Sequence, residues 1–281
     1  MIALKSILLL FSVVGTVIYL IIPNSELYLK LNTATPYTYY DEKDKKLKDY
    51  KIIFTELVQR HGSRYPTDDT YGRIKMFSDA LANCHNCKVK WTNPFKDSDI
   101  GLLCDRGREE LFHLGVYYAK LFKKLYKKST LDEYLVRSTN KKRTVESAQY
   151  FMAGFYNVVN KKIDNVDEIP SMEKIKKLVN DKEIQNMEII ESDDELLRFH
   201  KHCNLYVNTV DNESYTSEFN KYKDSIITDM MDRFKQKTGL KEMNEDIFYG
   251  GYHAGQFDYV VNNEKKLLKL FNNQDLKNIE Y

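Results

Sequence analysis

Residues 51–67 read Lys-Ile-Ile-Phe-Thr-Glu-Leu-Val-Gln-Arg-His-Gly-Ser-Arg-Tyr-Pro-Thr, and the fold is decided here. The β-branched and aromatic residues of 51–59 predict a buried strand. Arg60-His61-Gly62-Ser63-Arg64 follows at once, so the strand ends in a glycine-containing turn. In α/β proteins that rim is where ligands sit. Gly62 permits a tight turn and close approach of a ligand. His61 and Arg64 are three apart, so one helical turn would put them on the same face. Two guanidinium groups around one imidazole need anionic partners. A phosphate, with oxygens that accept bidentate hydrogen bonds, supplies them.

Working outward, Asp105-Arg106-Gly107-Arg108-Glu109-Glu110-Leu111 opens a second element. Asp105 is the expected N-cap. Leu111, Leu114, Tyr118, Leu121, Phe122 and Leu125 recur at three and four, which predicts an amphipathic helix. Lys120, Lys123, Lys124, Lys127 and Lys128 form its solvated side, and His113 reads as a packed or surface residue. Tyr134-Leu135-Val136-Arg137 reads as a short strand. Ser138-Thr139-Asn140 should cap a helix that carries Lys141, Lys142, Arg143, Thr144, Ser147 and Ala148. A second strand-to-helix rim of this kind can face the first. From about Tyr156 the pattern is helical and polar.

These strings together resemble the histidine acid phosphatases. Arg60-His61-Gly62-x-Arg64-x-Pro66-Thr67 is similar to that family's signature. Gly107, Glu110, Leu111, Leu114 and Gly115 follow its next block, and Arg137-Ser138-Thr139 with Arg143-Thr144 and Ser147-Ala148 a further one. The segment Asp194–Cys203 and the closing Leu267–Tyr281 resemble the multiple inositol polyphosphate phosphatase branch. The resemblance implies an α/β fold with a phosphoglycerate-mutase-like three-layer core and a helical insertion. It implies that His61 attacks phosphorus and forms a phosphohistidine. Arg60, Arg64 and Arg143 would bind the phosphoryl oxygens, and Thr67 would touch the substrate. Lys141 and Lys142, read from their charge beside Arg143, would add positive field on the substrate side or form an ordinary solvated face. No metal or organic cofactor is called for. The substrate expected is a small-molecule phosphomonoester, an inositol polyphosphate, with no nucleic acid as partner.

The family's second catalytic block, a histidine followed by an acidic residue, has no match here. His253-Ala254-Gly255 is the nearest string and has Gly where the acid belongs. The expectation is therefore a chain truncated at its C-terminus, with its later core strands missing and its general acid unassigned. General-acid help is worth about 10²–10⁴-fold, so little turnover is expected of the chain as written, with His253 or Asp258 as the stand-in donors if turnover is found. A non-catalytic phosphate- or polyanion-binding pseudophosphatase is the rival reading. A phosphoglycerate-mutase-like enzyme is disfavoured by the apolar leader and the Pro66-Thr67 ending.

The wider sequence bounds these readings. The chain has 281 residues, of which 42% are hydrophobic, enough for a core. Its formal net charge of +2 argues against a general nucleic-acid binder. A mean hydropathy of −0.55 excludes a polytopic membrane protein. Lys5 followed by the apolar run 7–22 reads as a secretory signal or an uncleaved signal-anchor. Either places the bulk of the chain in the secretory pathway, lumenal, secreted or membrane-anchored. Asn212-Glu213-Ser214 is a glycosylation sequon in that exported part. The division expected is 1–23 signal or anchor, 24–50 lead-in, 51–155 α/β core, and 156–281 mainly helical insertion. Cys84-His85-Asn86-Cys87 could hold zinc, but no second Cys/His pair stands at finger spacing. Disulfides or buried free thiols are expected instead, the pairing of the four cysteines being open.

Overall fold

Pro66 and Thr67 end the turn and deliver the chain, in extended geometry at Thr67, into helix α1 (Asp68–Ala82). Asp68 and Asp69 in its first turn complement the positive end of the helix. The computed structural model describes residues 31, 34–37, 54–122, 134–160, 162–163, 170–191, 194–209 and 213–280. Residues 7–22, the sequon at Asn212 and Lys123–Lys128 lie outside them. Among the described residues no helix is long and apolar enough to cross a membrane.

Helix α2 is Asp105–Leu121, α3 Lys142–Val159, α4 Met172–Val179, α5 Glu213–Thr238, α6 Glu245–Asn262 and α7 Asn273–Glu280. Short helical turns lie at Lys182–Gln185, Asp194–Leu197, Phe199–His202 and Asn204–Thr209. Two apolar clusters organise these elements. In the first, Ile74, Phe77 and Leu81 of α1 meet Phe234 of α5 and Phe248, Tyr252 and Phe257 of α6. Phe271 and Leu276 close it from the C-terminal side. In the second, Leu111, Phe112, Val116 and Ala119 of α2 pack on Phe151, Met152 and Phe155 of α3, with Ile175, Val179 and Ile184 beneath.

The α2–α3 contact is set by small residues. A Cβ on Gly115 would collide with the carbonyl of Phe151, and one on Gly154 with the carbonyl of Phe112. The two backbones therefore touch. This displaces the buried stripe of α2 from the sequence expectation. Gly107, Glu110, Leu111, Phe112, Gly115, Val116 and Ala119 are buried, whereas Leu114 and Tyr118 are half-buried. Close backbone approach wins over side-chain bulk in choosing which face turns inward.

Four local expectations are corrected. Cys104, not Asp105, is the N-cap of α2; the Asp105 carboxylate is committed to Arg108 at 2.6 Å and Lys176 at 3.1 Å. Lys141, not Ser138–Asn140, precedes α3, and Thr139 instead pairs its hydroxyl with Thr144 at 2.9 Å. The strand read over 51–59 does not form among the described residues. Residues 51–53 lie outside them, and Phe54 and Val58 stay 77% and 85% exposed. A strand needs a ladder and a covered face, and apolar content alone supplies neither. Backbone bridging among the described residues is limited to two isolated pairs, Arg64 with Leu103 and Arg137 with Ile190. The second reduces the strand expected at Tyr134–Arg137 to one bridge, in which Ser138 N donates to Ile190 O and Ile190 N to Val136 O, both at 2.9 Å.

Of the cysteines, Cys84 and Cys87 are disulfide-bonded, Cys104 is a buried thiol and Cys203 an exposed one. No group of residues fit to hold a metal ion occurs among the described residues.

Candidate active site

The turn 60–64 has little regular structure of its own, so its shape must come from what it touches. Gly62 lies against Gly107 of α2: a Cβ on Gly62 would overlap the Gly107 carbonyl, and one on Gly107 would overlap the Ser63 carbonyl and lie 2.6 Å from Ser63 N. Both glycines are there because two backbones meet with no room between them. Glu110, one turn on and 4% exposed, accepts from Ser63 N and from Ser63 Oγ, each at 2.8 Å. From α3, Ser147 accepts from Gly62 N at 3.2 Å and donates to Arg143 O at 2.7 Å. Tyr37 donates its phenol proton to Arg60 O at 3.0 Å. The turn is thus clamped by α2 on one side and α3 on the other.

The clamp orients His61. Its Nδ1 lies 2.8 Å from the Gly62 carbonyl, which can only accept, so Nδ1 carries the proton and donates. Nε2 then keeps a lone pair. Burial, followed by the charges of Arg60, Arg143 and Arg64, overrides the opposing effect of that hydrogen bond and lowers the imidazole to about 4. The ring is neutral, with a free nitrogen, over the whole range above that.

The three arginines converge in the same place. Burial and the charges of Arg143 and Arg60 lower Arg64 to about 10. Arg143 is lowered likewise by burial and by Arg60. Arg64 donates to its neighbour's carbonyl, Tyr65 O, at 2.8 Å, and Arg143 to Gly101 O at 3.5 Å. Among the described residues neither has a carboxylate partner, and the buried Nε of Arg143 has no hydrogen-bond partner. Cations that destabilise one another and lack a counter-charge define a place for an anion.

The other residues singled out in the sequence are placed as follows. Thr67 is at the start of α1, 3.3 Å from the Thr70 hydroxyl. Lys141 and Lys142 stand exposed at the start of α3. His253 hydrogen-bonds Gln256 Oε1 at 2.8 Å. Asp258 accepts from Trp91 Nε1 and from Asn262 Nδ2, each at 2.9 Å. Both are held by structural partners. Glu110 and Ser147, which hold the turn, were visible in sequence only as members of longer strings, and nothing in their spacing announced a hydrogen bond to residues 62–63.

The family description "histidine phosphatase superfamily (branch 2)" matches residues 51–281. Among curated proteins, a thiamine-repressible acid phosphatase of Schizosaccharomyces pombe is 30% identical over 148 residues, 45% of this chain and 31% of that protein. Multiple inositol polyphosphate phosphatase 1 of Gallus gallus is 22% identical over 236 residues, 80% of this chain and 47% of that one. Among solved structures, the phytase from D. castellii superposes with a TM-score of 0.63 at 16% identity, covering 91% of this chain and 55% of the phytase. The chain spans about half, or less, of the length of these relatives.

Proposed function

The chain belongs to branch 2 of the histidine phosphatase superfamily, and on that premise we propose that it binds phosphomonoesters and transfers their phosphoryl group to His61. The observation that carries the reading is the neutral imidazole, with its proton fixed on Nδ1, among three converging arginines. The Nε2 lone pair attacks phosphorus, a P–N bond forms and the ester P–O bond breaks. The alcohol oxygen leaves with the electron pair and takes up a proton. Water then attacks the phosphohistidine, releasing orthophosphate and restoring the imidazole. Arg60, Arg64 and Arg143 offset the charge on the phosphoryl oxygens, which is the largest part of what phosphoryl transfer asks of a protein.

The α/β core and the inositol polyphosphate substrate are the finer parts of this proposal. The first is supported by the superposition on the phytase and the second by the relatives named multiple inositol polyphosphate phosphatase. A secretory location is proposed with them; the Cys84–Cys87 disulfide agrees with an oxidising compartment. The rival reading, a phosphate-binding protein without turnover, is favoured by the commitment of His253 and Asp258 to structural partners.

The reading is tested by mixing the protein with a labelled phosphomonoester, quenching, and mapping the adduct under conditions that preserve phosphoramidates. Label is expected on His61. Label on a serine or cysteine, or undiminished label in His61→Ala, sinks the assignment. A pH dependence follows as well. Because the imidazole is lowered to about 4, the acid limb of kcat/KM, or of the labelling rate, should fall near pH 4. A limb near the ordinary imidazole value of about 6.5 would mean that His61 is not buried beside the arginines in solution.

A further inference from the structure

The chain as a whole is nearly neutral, but its lysines are unevenly placed. Residues 88–90, 235–242 and 264–269 carry eight lysines against two glutamates, Glu242 and Glu264, a net +6 inside a chain of net +2. The remaining residues therefore sum to −4.

Hydrogen bonds tie five of these lysines into one patch at the C-terminal end of α5. Lys88 donates its backbone N to Thr238 O at 2.9 Å and its Nζ to Gln236 O at 3.0 Å. The neighbour of Gln236, Lys237, donates its Nζ to Leu270 O at 2.7 Å. Leu270 ends the short helical turn Leu267–Leu270, which also carries Lys269. Lys266, just before that turn, donates its Nζ to Lys90 O at 3.4 Å, and the circuit closes on the segment where it began. All five side chains are exposed, and the acceptors named are backbone carbonyls. Among the described residues none of Lys88, Lys90, Lys237, Lys266 and Lys269 is in an ion pair. The negative end of α5 gives Lys88 and Lys237 a structural use. Lys90, Lys266 and Lys269 lie off that end, so their charge is left for solvent or a partner.

The surroundings of the lysines describe that partner. Val89, Leu240, Leu267 and Leu268 are buried, and none of the large exposed apolar side chains among the described residues falls in these three segments. A membrane surface needs an apolar face to take up, and its anionic lipid is concentrated on the cytoplasmic side. A folded protein partner would ask for aromatic and arginine anchors, and lysine is depleted in such interfaces. Lysine without arginine offers mobile point charges, not the planar fork that reads a single carboxylate or phosphate. That suits a solvated chain with many fixed anionic groups. The Cys84–Cys87 disulfide, which closes the loop leading into Lys88, agrees with an oxidising compartment, where sulfated polysaccharides are such chains.

We propose that this lysine face binds a sulfated polysaccharide. It is a second anion site, since none of its lysines is among the charges that act on His61.

The test is equilibrium binding of a heparin oligosaccharide to the full chain, with and without an excess of orthophosphate to occupy the arginines at His61. Binding is expected in both conditions and should weaken steeply as salt rises. A variant carrying Lys90→Glu, Lys266→Glu and Lys269→Glu should bind the oligosaccharide at least about tenfold more weakly, as three lost and reversed surface contacts imply. Its orthophosphate affinity, measured on the same preparation, should be unchanged. The same three positions changed to Gln give a second variant, expected between the two. The proposal is overturned if the unmodified chain does not bind heparin, if orthophosphate abolishes the binding, or if a folded variant binds as tightly as the unmodified chain. It is overturned also if poly-glutamate or phosphatidylserine vesicles bind the unmodified chain as tightly as heparin does, which would assign the face to an acidic protein or to a membrane. The comparison of these probes needs no variant.

Discussion

His61→Ala is expected to lower phosphoryl transfer by on the order of 10³-fold or more, because the step has no other nucleophile placed among the arginines. The loss should be selective. Arg60, Arg64 and Arg143 keep their positions, since Arg143 is anchored through Ser147 and the 60–64 turn through Glu110 rather than through the imidazole. Orthophosphate should therefore still bind, and the folded state should change little. Single-turnover labelling and orthophosphate titration, made on the same preparation, check both halves. Retained transfer would remove His61 from the reaction. Lost transfer together with lost phosphate binding would mean that the ring, not the arginines, organises the pocket.

Gly107→Ala should have the largest effect on stability. The added Cβ overlaps the Ser63 carbonyl and crowds Ser63 N, both backbone atoms that no rotamer can move aside. Either α2 moves off the turn, and Glu110 loses its hold on Ser63, or the turn itself is displaced. Overpacking of this kind costs about 3 kcal/mol or more when backbone must yield. A loss of unfolding free energy of that size in urea denaturation, with loss of phosphate binding, is the expected result. At Gly72 a Cβ would meet nothing within 4 Å, so Gly72→Ala is the matched control for replacing a helical glycine. Equal stability of the two variants would show that the close contact is not present in solution.

Much of the site could be read from residue types. Arg60-His61-Gly62-x-Arg64 was grouped by the need of a phosphate for several guanidinium groups, and the distant Arg143 joined it only through the family resemblance; in the structure the charges of all three arginines act on His61. Helix α2 was legible from its periodicity and α3 from the polar residues expected to cap it, whereas α1 was not read as a helix. The helix starts were misjudged by up to a few residues because Asp105 and Thr139 have better partners than the backbone. The expected strand failed for a different reason. Apolar and β-branched content describes what a strand can bury but not the partner ladder that makes it a strand, and no such ladder forms among the described residues. Glu110 was the least legible residue. A glutamate in a charged helix start reads as solvated, and its burial follows only from the contact between Gly62 and Gly107, which is a tertiary fact.

The contact of Gly62 with Gly107 also bears on how such a chain can change by descent. Where two side chains meet, a loss of volume on one can be repaired by a gain on the other. Here both partners are backbone, so no exchange of side chains restores the fit. Second-site suppressors of a Gly107 substitution should therefore be absent from the turn and from the facing surface of α2. If any arise, they should be distant and global, adding stability elsewhere without repairing the geometry. Random mutagenesis seeking revertants of Gly107→Ala should return the original glycine far more often than any compensating pair.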